Sequence, residues 1–513
     1  MSISLGIDLG TSSVKVGLFE EAVRFMGGET SEYGVNYPSQ GAAEQSPGDW
    51  WEGILAATAK LRERFPGIWK SIASMSVTGQ FSGTVPVDSL GNPLRDAIIW
   101  LDSRGEAETR RVISGFPGIH GYRLDRLLQW IRLTGGAPTK SGKDSLSHIL
   151  YLKASEPDVF AATHMFLEPK DYINFRLTGK MFGTYDSMVL HWITDNRAPS
   201  NISYSDTLLR YAGLERKHFP ELTGSWMPIG KVSEMTQKEL QLPEGVVVAG
   251  GSGDIQSAII GSGCFRSYEP ILYIGTSSWI SCHVPNKKTD IFHNIASLPS
   301  ALPGKYFVAA EQESAGSALS YVRRILFDRS SGSSFRKVDE LAETAPPGSD
   351  GLIFLPWLYG ERAPVESKWL RSAFFNISLN HEREHIARAV MEGVAYNTKW
   401  LLGAVEKFTG RTFPYLMMSG GGAVSQLWPE ILSDVLEREI RAVLDPVYVN
   451  ARGAAVLSLM ALRNDTGISF DSSAIVRKLY SPNSSSFQVH RRNYDAFLRF
   501  YRDNRKSMSF LNG

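Results

Sequence analysis

The sequence predicts an α/β protein built from two domains. The chain has 513 residues, well beyond the roughly 250 to 300 residues at which a single hydrophobic core stops growing. Strand-like and helix-like segments alternate along it, as is typical of α/β domains. An apolar run followed by Gly-Thr-Ser-Ser opens the chain in "GIDLGTSS" (6–13) and recurs in "YIGTSS" (273–278). We therefore expect two domains of one type, at 1–248 and 249–480, followed by a tail helix at 481–513.

The elements of each half follow from hydrophobic period and turn chemistry. In the first half, alternation at Val14, Val16 and Leu18 predicts the second strand of a hairpin. Further segments are predicted there as a helix (47–65), strands (72–79, 83–88, 96–102) and a helical middle section (119–240). The second half is predicted to contain a buried strand ending in a glycine turn (244–254), a hairpin (269–284), a helix capped by Asn380 (381–408), a strand, turn and helix (415–436) and a terminal helix (490–507).

Composition excludes several classes of function. The chain carries 54 basic and 53 acidic residues, a net charge of +1, so no broad electrostatic attraction draws it to nucleic acid or to anionic lipid. Its two cysteines, Cys264 and Cys282, have neither the number nor the spacing of a disulfide framework or a zinc cluster. No apolar run of about 18 residues and no signal-peptide pattern occurs. We expect a cytoplasmic protein that binds neither nucleic acid nor membrane.

The two Gly-Thr-Ser turns are candidate phosphate sites. Successive backbone N–H groups and hydroxyls without bulky side chains form concavities that hold phosphate oxygens. The residues concerned are Gly10, Thr11 and Ser12 in the first copy and Gly275, Thr276 and Ser277 in the second. Either copy alone is better explained as a tight turn, where Gly, Ser and Thr are common for local reasons. The repetition favours two tips that approach one cleft.

Two aspartates stand where phosphoryl-transfer chemistry would need them. Asp8 lies beside the first tip, where a carboxylate repels phosphate unless a cation such as Mg²⁺ lies between them; the alternative is a turn residue that caps its own backbone. Asp254 ends a predicted buried strand, at the sheet edge where α/β proteins bind ligands. There a carboxylate can take the proton of an attacking hydroxyl, or it can merely cap the next helix.

Two further motifs match patterns of nucleotide and metal sites, and only the first is interpreted as a ligand site. "SGGGAVSQ" (419–426) lets a flat ligand approach the backbone at Gly420, Gly421 and Gly422, although it is neither a Walker A loop nor a dinucleotide fingerprint. "HEREH" (381–385) satisfies the H-E-x-x-H zinc pattern. Its place at the start of an amphipathic helix predicts instead a solvated first turn, with acidic residues favoured by the helix dipole.

Taken in order, these stretches resemble the FGGY family of carbohydrate kinases, within the superfamily of sugar kinases, actin and heat-shock chaperone ATPases. The general likeness is to xylulokinases, and nearly the whole chain takes part. The resemblance implies two actin-like, ribonuclease-H-like domains with a nucleotide and substrate cleft between them. The matching stretches are "GIDLGTSSVKV", "AEQSPGDWW", "SVTGQFSG", "AIIWLDSRG", "EPKDYINFRLTG", "GGSGDIQSAIIG", "YIGTSSWI", "FLPWLYGERAP", "ARAVMEGVAYN", "SGGGAVSQLWPEILSDVL" and "ARGAAVLSL".

The resemblance also implies roles for individual residues. Asp8 would coordinate Mg²⁺, the two tips would hold the ATP phosphates, Gly420 to Gly422 would lie against adenosine, and Asp254 would be the catalytic base. The family's sugar-contacting positions correspond here to Gln80, Phe81, Ser82, Trp100, Asp102 and Arg104. We further expect the metal and the base to come from opposite lobes, and the protein to form a homodimer.

One departure from the family pattern bears on the substrate. Typical xylulokinases have a sequence similar to Gln-Met-His-Gly at the sugar turn, whereas this chain has Gln80-Phe81-Ser82-Gly83. Polar pockets discriminate through individual hydrogen bonds, so one such change matters. The expected substrate is a ketopentose such as D-xylulose, with ribulose, erythritol or glycerol as alternatives. From other classes, a chaperone-like ATPase and a non-catalytic sugar-binding regulator also stay open.

Overall fold

The first half of the protein folds around a twisted sheet covered by helices. The computed structural model describes residues 2–21, 24–327 and 334–513. Within them, the strands of the first half are β1 (Ile3–Leu9), β2 (Ser13–Glu20), β3 (Arg24–Glu32), β4 (Glu44–Gln45), β5 (Ile72–Gly79), β6 (Val85–Val87), β7 (Ala97–Ile98), β8 (Gly118–Ile119), β9 (Tyr122–Arg123), β10 (Met165–Leu167), β11 (Phe182–Thr184), β12 (Thr194–Asp195), β13 (Ser203–Tyr204), β14 (Glu221–Thr223), β15 (Pro228–Lys231) and β16 (Val247–Gly253).

The helices of this half lie between those strands. They are α1 (Pro47–Arg64), α2 (Pro66–Trp69), α3 (Glu106–Ile113), α4 (Leu124–Thr134), α5 (Ser145–Ser155), α6 (Pro157–Ala162), α7 (Pro169–Thr178), α8 (Asp206–Ala212), α9 (Glu234–Leu240) and α10 (Asp254–Gly261). The section predicted as helical, 119–240, therefore also contains short strands. The principal sheet has the strand order β15-β16-β5-β1-β2-β3.

The second half repeats this plan. Its strands are β17 (Ile271–Ile274), β18 (Ser278–Ser281), β19 (His283–Val284), β20 (Thr289–Asp290), β21 (Ile295–Pro299), β22 (Tyr306–Ala309), β23 (Glu311–Gln312), β24 (Ile353–Leu355), β25 (Ala373–Phe375), β26 (Tyr415–Ser419), β27 (Glu439–Val443) and β28 (Val476–Tyr480). Its helices are α11 (Gly316–Leu326), α12 (Phe335–Glu343), α13 (Arg383–Thr409), α14 (Trp428–Leu436), α15 (Val449–Arg463) and α16 (Phe487–Asn512). The principal sheet has the order β23-β18-β17-β26-β27-β28.

The two sheets place their hairpins equivalently. In the first sheet β1 pairs antiparallel with β2 and parallel with β5. In the second sheet β17 pairs antiparallel with β18 and parallel with β26. Each Gly-Thr-Ser tip thus joins a central strand to its antiparallel neighbour. The predicted fold class, two α/β domains of the actin-like ATPase type, is confirmed.

Close backbone contacts join the two halves. Helix α15 packs on β1, where a Cβ on Gly6 would lie only 1.9 Å from the carbonyl oxygen of Ala451. The same helix meets α10, where a Cβ on Gly453 would lie 1.9 Å from the carbonyl oxygen of Ser257. Since both contacts need glycine, the family-like stretch "ARGAAVLSL" is explained in part by packing.

Local predictions fared unevenly. Helix α1 begins at Pro47 as predicted, with the Ser46 hydroxyl accepting from the backbone of Gly48. The strand predicted at 96–102 is restricted to β7, because the chain turns where the Asp102 N–H donates to the Ile99 carbonyl over 2.9 Å. Helix α13 is capped by Glu382 instead of Asn380. His385 in "HEREH" completes that cap by accepting from the Glu382 N–H at 3.1 Å.

The predicted metal and base are on one sheet, not on opposite lobes. Asp254 directly follows β16, and β16 belongs to the same sheet as β1, which carries Asp8. The prediction of opposite lobes is therefore wrong. The predicted boundary after residue 248 falls inside β16. The predicted domain bounds and the separate tail at 481–513 stay predictions.

Three other features concern membrane spans, the cysteines and the packing of the terminal helix. Within the described ranges, no helix combines the length and apolar character needed to cross a membrane. Cys264 and Cys282 are both buried free thiols. Helix α16 packs into the core of the second half, with the Phe497 ring centroid 5.5 Å from that of Trp357.

Candidate active site

Asp8 projects from β1 at the end that carries the first tip. Its side chain is 3% exposed. One carboxylate oxygen lies 3.4 Å from the Lys15 Nζ, and the other lies 3.4 Å from the Nδ2 of Asn450 on α15. Both contacts are long for hydrogen bonds, so neither saturates the carboxylate.

Oxygen atoms without partners lie near this carboxylate. Thr78 is paired with Asp8 in the register of β1 and β5. Among the described residues, the Thr78 hydroxyl and the Asn450 Oδ1 are buried and have no hydrogen-bond partner. Such atoms are expensive to bury unsatisfied. Carboxylate, amide and hydroxyl oxygens are the donor set that suits a hard cation such as Mg²⁺, so these residues fit the metal that the family resemblance implies.

Each tip is closed by a hydrogen bond from its glycine N–H, and the two acceptors lie one position apart in the aligned turns. In the first, the Gly10 N–H donates to the Ser13 carbonyl at 3.0 Å, and the Tyr33 hydroxyl holds the Gly10 carbonyl at 2.6 Å. In the second, the Gly275 N–H donates to the Ser277 carbonyl at 2.9 Å. Ser12 and Thr276 are exposed at the outer points of the turns. Both tips therefore present backbone and hydroxyl groups to solvent.

The second tip is braced by helix α11. The Gly316 N–H donates to the Gly275 carbonyl at 2.9 Å, and the N–H groups of Ala315 and Ser317 both donate to the Thr276 carbonyl at 3.0 Å. A Cβ on Gly316 would lie 2.4 Å from the Gly275 carbonyl oxygen. The second tip is consequently fixed by the helix that follows it in the fold.

Asp254 occupies the junction of β16 and α10. Its Oδ1 accepts from the Ile255 N–H at 2.8 Å, and the side chain keeps partial access to solvent. Burial of its carboxyl group, and then the charge of Asp8, raise the pKa of Asp254 to about 7. A carboxyl with such a pKa is suited to exchanging a proton near neutral pH.

The glycine turn after β26 packs against the second hairpin. Gly420 has φ of +83°, and a Cβ there would lie 2.5 Å from the Ile274 carbonyl oxygen. A Cβ on Gly422 would lie 2.6 Å from the Ile274 Cγ2, whereas a Cβ on Gly421 would meet nothing within 4 Å. Gly420 and Gly422 are thus needed for packing, and Gly421 is the member that is open to a ligand.

Hydrogen bonds connect the predicted sugar turn to the first tip. The Thr11 hydroxyl donates to the Gln80 Oε1 at 3.2 Å and accepts from the Trp100 Nε1 at 2.9 Å. Gln80 also donates to the Gln45 Oε1 at 2.9 Å, and Gln45 donates to the Thr11 carbonyl at 2.7 Å. The structure therefore brings together Thr11, Gln80 and Trp100, which the sequence placed in two different sites.

Phe81 and Ser82 shape the rest of the turn. Ser82 has φ of +60° and is 4% exposed. Its hydroxyl donates to the Lys143 carbonyl at 2.7 Å. The Phe81 ring covers Gly253, where a Cβ would come within 2.0 Å of the ring. The Ser82 donor is thus engaged by the main chain instead of facing an open pocket.

Asp102 and Arg104 form hydrogen bonds and ion pairs with other residues of the protein. Asp102 is 1% exposed, and its carboxylate accepts from the N–H of Ala43 and from the Arg104 Nε, both at 2.9 Å. The Arg104 guanidinium also pairs with Glu44 and lies 4.5 Å from the ring centroid of Tyr151. These contacts give both residues a bracing role, and their predicted contact with sugar stays a prediction.

A buried acid supports the sugar turn from beneath. The Glu168 carboxyl accepts from the Gly83 N–H at 3.1 Å and from the Ser145 hydroxyl at 2.5 Å. Burial raises the pKa of Glu168 to about 8. The backbone of the turn is therefore held by a buried carboxyl group.

Arg362 was missed at the sequence level as a candidate site residue. It lies in the second half, and its guanidinium stands 5.9 Å from the ring centroid of Trp100. Its Nε donates to Glu313 and its Nη1 to Glu311, each at 2.6 Å. The family-like stretch "FLPWLYGERAP" was the available signal, but it assigned no role to the arginine. Asn450, one residue before "ARGAAVLSL", was missed in the same way.

Comparisons with known proteins agree on one family. Residues 3–261 match the model of the FGGY family of carbohydrate kinases, N-terminal domain, and residues 272–462 match that of the C-terminal domain. A xylulose kinase of Lactococcus lactis is 28% identical over 440 residues, covering 86% of this chain and 84% of the relative. A gluconokinase of Bacillus subtilis is 26% identical over 478 residues, covering 90% of this chain and 88% of the relative. The crystal structure of ligand-bound xylulose kinase from Lactobacillus acidophilus superimposes with a TM-score of 0.85 over 100% of both chains, at 22% identity.

Proposed function

The chain belongs to the FGGY family of carbohydrate kinases and is an ATP-dependent sugar kinase, and from this premise we propose that it phosphorylates a ketopentose such as D-xylulose. The observation that carries the mechanism is the place of Asp254. Its carboxyl has a pKa raised to about 7, beside Asp8 and at the end of a sheet strand. A group of this kind is suited to activating a sugar hydroxyl at neutral pH.

The proposed reaction is a direct transfer. The Asp254 carboxylate takes the proton of the sugar hydroxyl, and the hydroxyl oxygen attacks the γ-phosphorus of ATP. The bond from the γ-phosphorus to the bridging oxygen breaks, and ADP leaves with that oxygen. Positioning and electrostatic stabilisation supply most of the rate in such transfers, while a general base adds about 10² to 10⁴-fold.

The two tips and the glycine turn are the proposed nucleotide site. The two tips, residues 10–12 and 275–277, would hold the phosphates, and the backbone at Gly421 would lie against adenosine. The support is the exposure of Ser12 and Thr276 at the two turns and the open space above Gly421. Asp8 would hold Mg²⁺ together with oxygen atoms of Asn450 and Thr78, and the cation would neutralise phosphate charge when bound.

The choice of D-xylulose rests on relatives that carry the name xylulose kinase. Gluconate is a second candidate, because Lys143 adjoins the sugar turn. Its carbonyl accepts from Ser82, burial lowers the pKa of its ammonium, and in the described part of the chain it forms no ion pair. A substrate carboxylate would give this ammonium a partner. Homodimer formation and a cytoplasmic location stay predictions.

A coupled assay of ADP release over a substrate panel tests the proposal. The panel contains D-xylulose, D- and L-ribulose, erythritol, glycerol and D-gluconate. We expect the highest kcat/KM with D-xylulose. A preference for gluconate that Lys143→Met removes would select the second candidate, and the absence of ADP release with every compound would refute the assignment of the substrate class.

A further inference from the structure

A cation–π contact joins the second half of the chain to the sugar side of the first. The Arg362 guanidinium lies over the Trp100 ring, with 5.9 Å between its central carbon and the ring centroid. The Trp100 indole N–H in turn donates to the Thr11 hydroxyl at 2.9 Å. Two contacts therefore lead from the second lobe, past the sugar turn, to the first phosphate tip.

Arg362 is held rigidly from its own side. Its two 2.6 Å bonds to Glu311 and Glu313 fix the plane of the guanidinium, as the forked donor geometry of arginine permits. Glu311 lies in β23, which pairs with β18, the second strand of the second hairpin. The neighbouring Glu361 is 3% exposed and accepts from Asn397 on α13 at 2.6 Å.

The first tip is held just as firmly from the other side. The Thr11 hydroxyl donates to Gln80 of the sugar turn, and Gln45 bonds both to Gln80 and to the Thr11 carbonyl. A sugar seated against Gln80 and Trp100 would therefore contact the same network that positions a phosphate tip. Movement of one lobe relative to the other would change the contact of Arg362 with Trp100.

We propose that Arg362 is a positioning residue that couples sugar binding to nucleotide binding through Trp100 and Thr11. The inference rests on the proposed function, since it takes the sugar turn as the sugar site. With sugar present, the contact of Arg362 with Trp100 holds the two tips in the arrangement that binds the triphosphate. Such coupling is reciprocal, so the nucleotide tightens sugar binding by the same factor.

The test is the dissociation constant of a non-hydrolysable ATP analogue with Mg²⁺, measured by calorimetry with and without the sugar that the wild type phosphorylates. We expect sugar to tighten nucleotide binding in the wild type by at least about fivefold, the lower end of typical couplings. In Arg362→Met this ratio falls to about one, while nucleotide affinity without sugar stays within about twofold of the wild type. Arg362→Lys, which keeps the charge but not the planar fork, gives an intermediate ratio.

Trp100→Phe distinguishes the contact of Trp100 with Arg362 from its hydrogen bond to Thr11. It keeps a ring under Arg362 but removes the donor to Thr11, so it should lose the coupling too. The double variant with Arg362→Met should lose no more than either single variant. Arg266→Met is the matched control, because Arg266 is 88% exposed and pairs only with the nearby Glu269 among the described residues; its ratio should equal that of the wild type.

The outcomes are distinguishable. If the wild type phosphorylates a sugar but shows no coupling, or if full coupling survives in Arg362→Met, the inference is overturned and the proposed function stands. If the wild type phosphorylates no sugar of the panel, the proposed function fails, and the inference fails with it. Should Arg362→Met fail to fold, Arg362→Lys and Trp100→Phe decide the question by the same ratio.

Discussion

The two Gly-Thr-Ser tips have the same sequence, and each is closed by a hydrogen bond from its glycine N–H, yet the residues beneath them differ. Beneath the first lie a carboxylate, an ammonium and an amide, from Asp8, Lys15 and Asn450. Beneath the second, the Tyr273 ring stacks on Trp279 with centroids 4.9 Å apart and planes 4° from parallel. The two proposed phosphate sites therefore share a turn sequence, while the neighbouring side chains differ in chemistry.

The same contrast extends along the strands. Both proposed reactive carboxylates, Asp8 and Asp254, extend from the ends of strands in the first sheet. The second sheet contributes the packed glycine turn and, through β23, the anchor of Arg362. We infer that the first lobe carries the proposed base, the proposed metal ligand and one phosphate tip, and that the second lobe supplies the other tip and the glycine turn against adenosine. Substitutions in the two lobes should therefore fail in different ways.

The largest effect is expected from Asp254→Asn. The amide keeps the size of the side chain but cannot take the proton, so kcat should fall by about 10² to 10⁴-fold. Binding of the ATP analogue should change little. Steady-state ADP release and calorimetry measure the two quantities, with the exposed Asp125→Asn as control. Near-normal turnover by Asp254→Asn would contradict the role of Asp254 as the general base.

Asp8→Asn should give the next largest effect, and it should weaken Mg²⁺ binding more than sugar binding. Loss of the carboxylate should weaken the response to Mg²⁺ by at least about tenfold, the scale on which metal-site substitutions act, because no other carboxylate is proposed to hold the cation. Sugar affinity without nucleotide should change less. Titration of activity with Mg²⁺ and calorimetry with sugar compare the two; greater damage to sugar binding would contradict the metal role.

In the second lobe, neighbouring glycines offer a matched pair. Gly422→Ala should lower the free energy of unfolding by about 1 to 3 kcal/mol, as overpacking does, because its Cβ would meet the Ile274 side chain. Gly421→Ala meets open space and should leave stability unchanged while weakening ATP-analogue binding. Denaturant unfolding and calorimetry measure both variants. Equal stability of the two would show that the turn does not pack as described.

Local patterns predicted much of this site. The tips, Asp8 and the glycine turn each lie within a few residues of the apolar run that identifies them, so hydrophobic period and turn chemistry located them. The sheet to which Asp254 belongs could not be predicted in this way. It depends on β16 pairing with β5, which lies far away in the chain, and a restarted sequence pattern suggested the wrong lobe.

Contacts between distant residues were also beyond the sequence. Asn450 reaches Asp8 across 442 residues, and Arg362 meets Trp100 across two domains. No local periodicity specifies such pairs, although both residues lie in or beside family-like stretches. The cap of α13 shows the same limit at short range: Asn380 was a suitable cap by residue type, but the reciprocal bonds of Glu382 and His385 start the helix later.

Asp254 is proposed to act as the base from a pKa raised to about 7, and the pH dependence of kcat/KM for the sugar tests this role most directly. A base must be unprotonated, so activity should rise with pH through this value. Below about pH 7 we expect kcat/KM to fall roughly tenfold per pH unit, and the residual activity of Asp254→Asn to lack this limb. A wild-type profile that stays flat between about pH 5 and 8 would contradict the account.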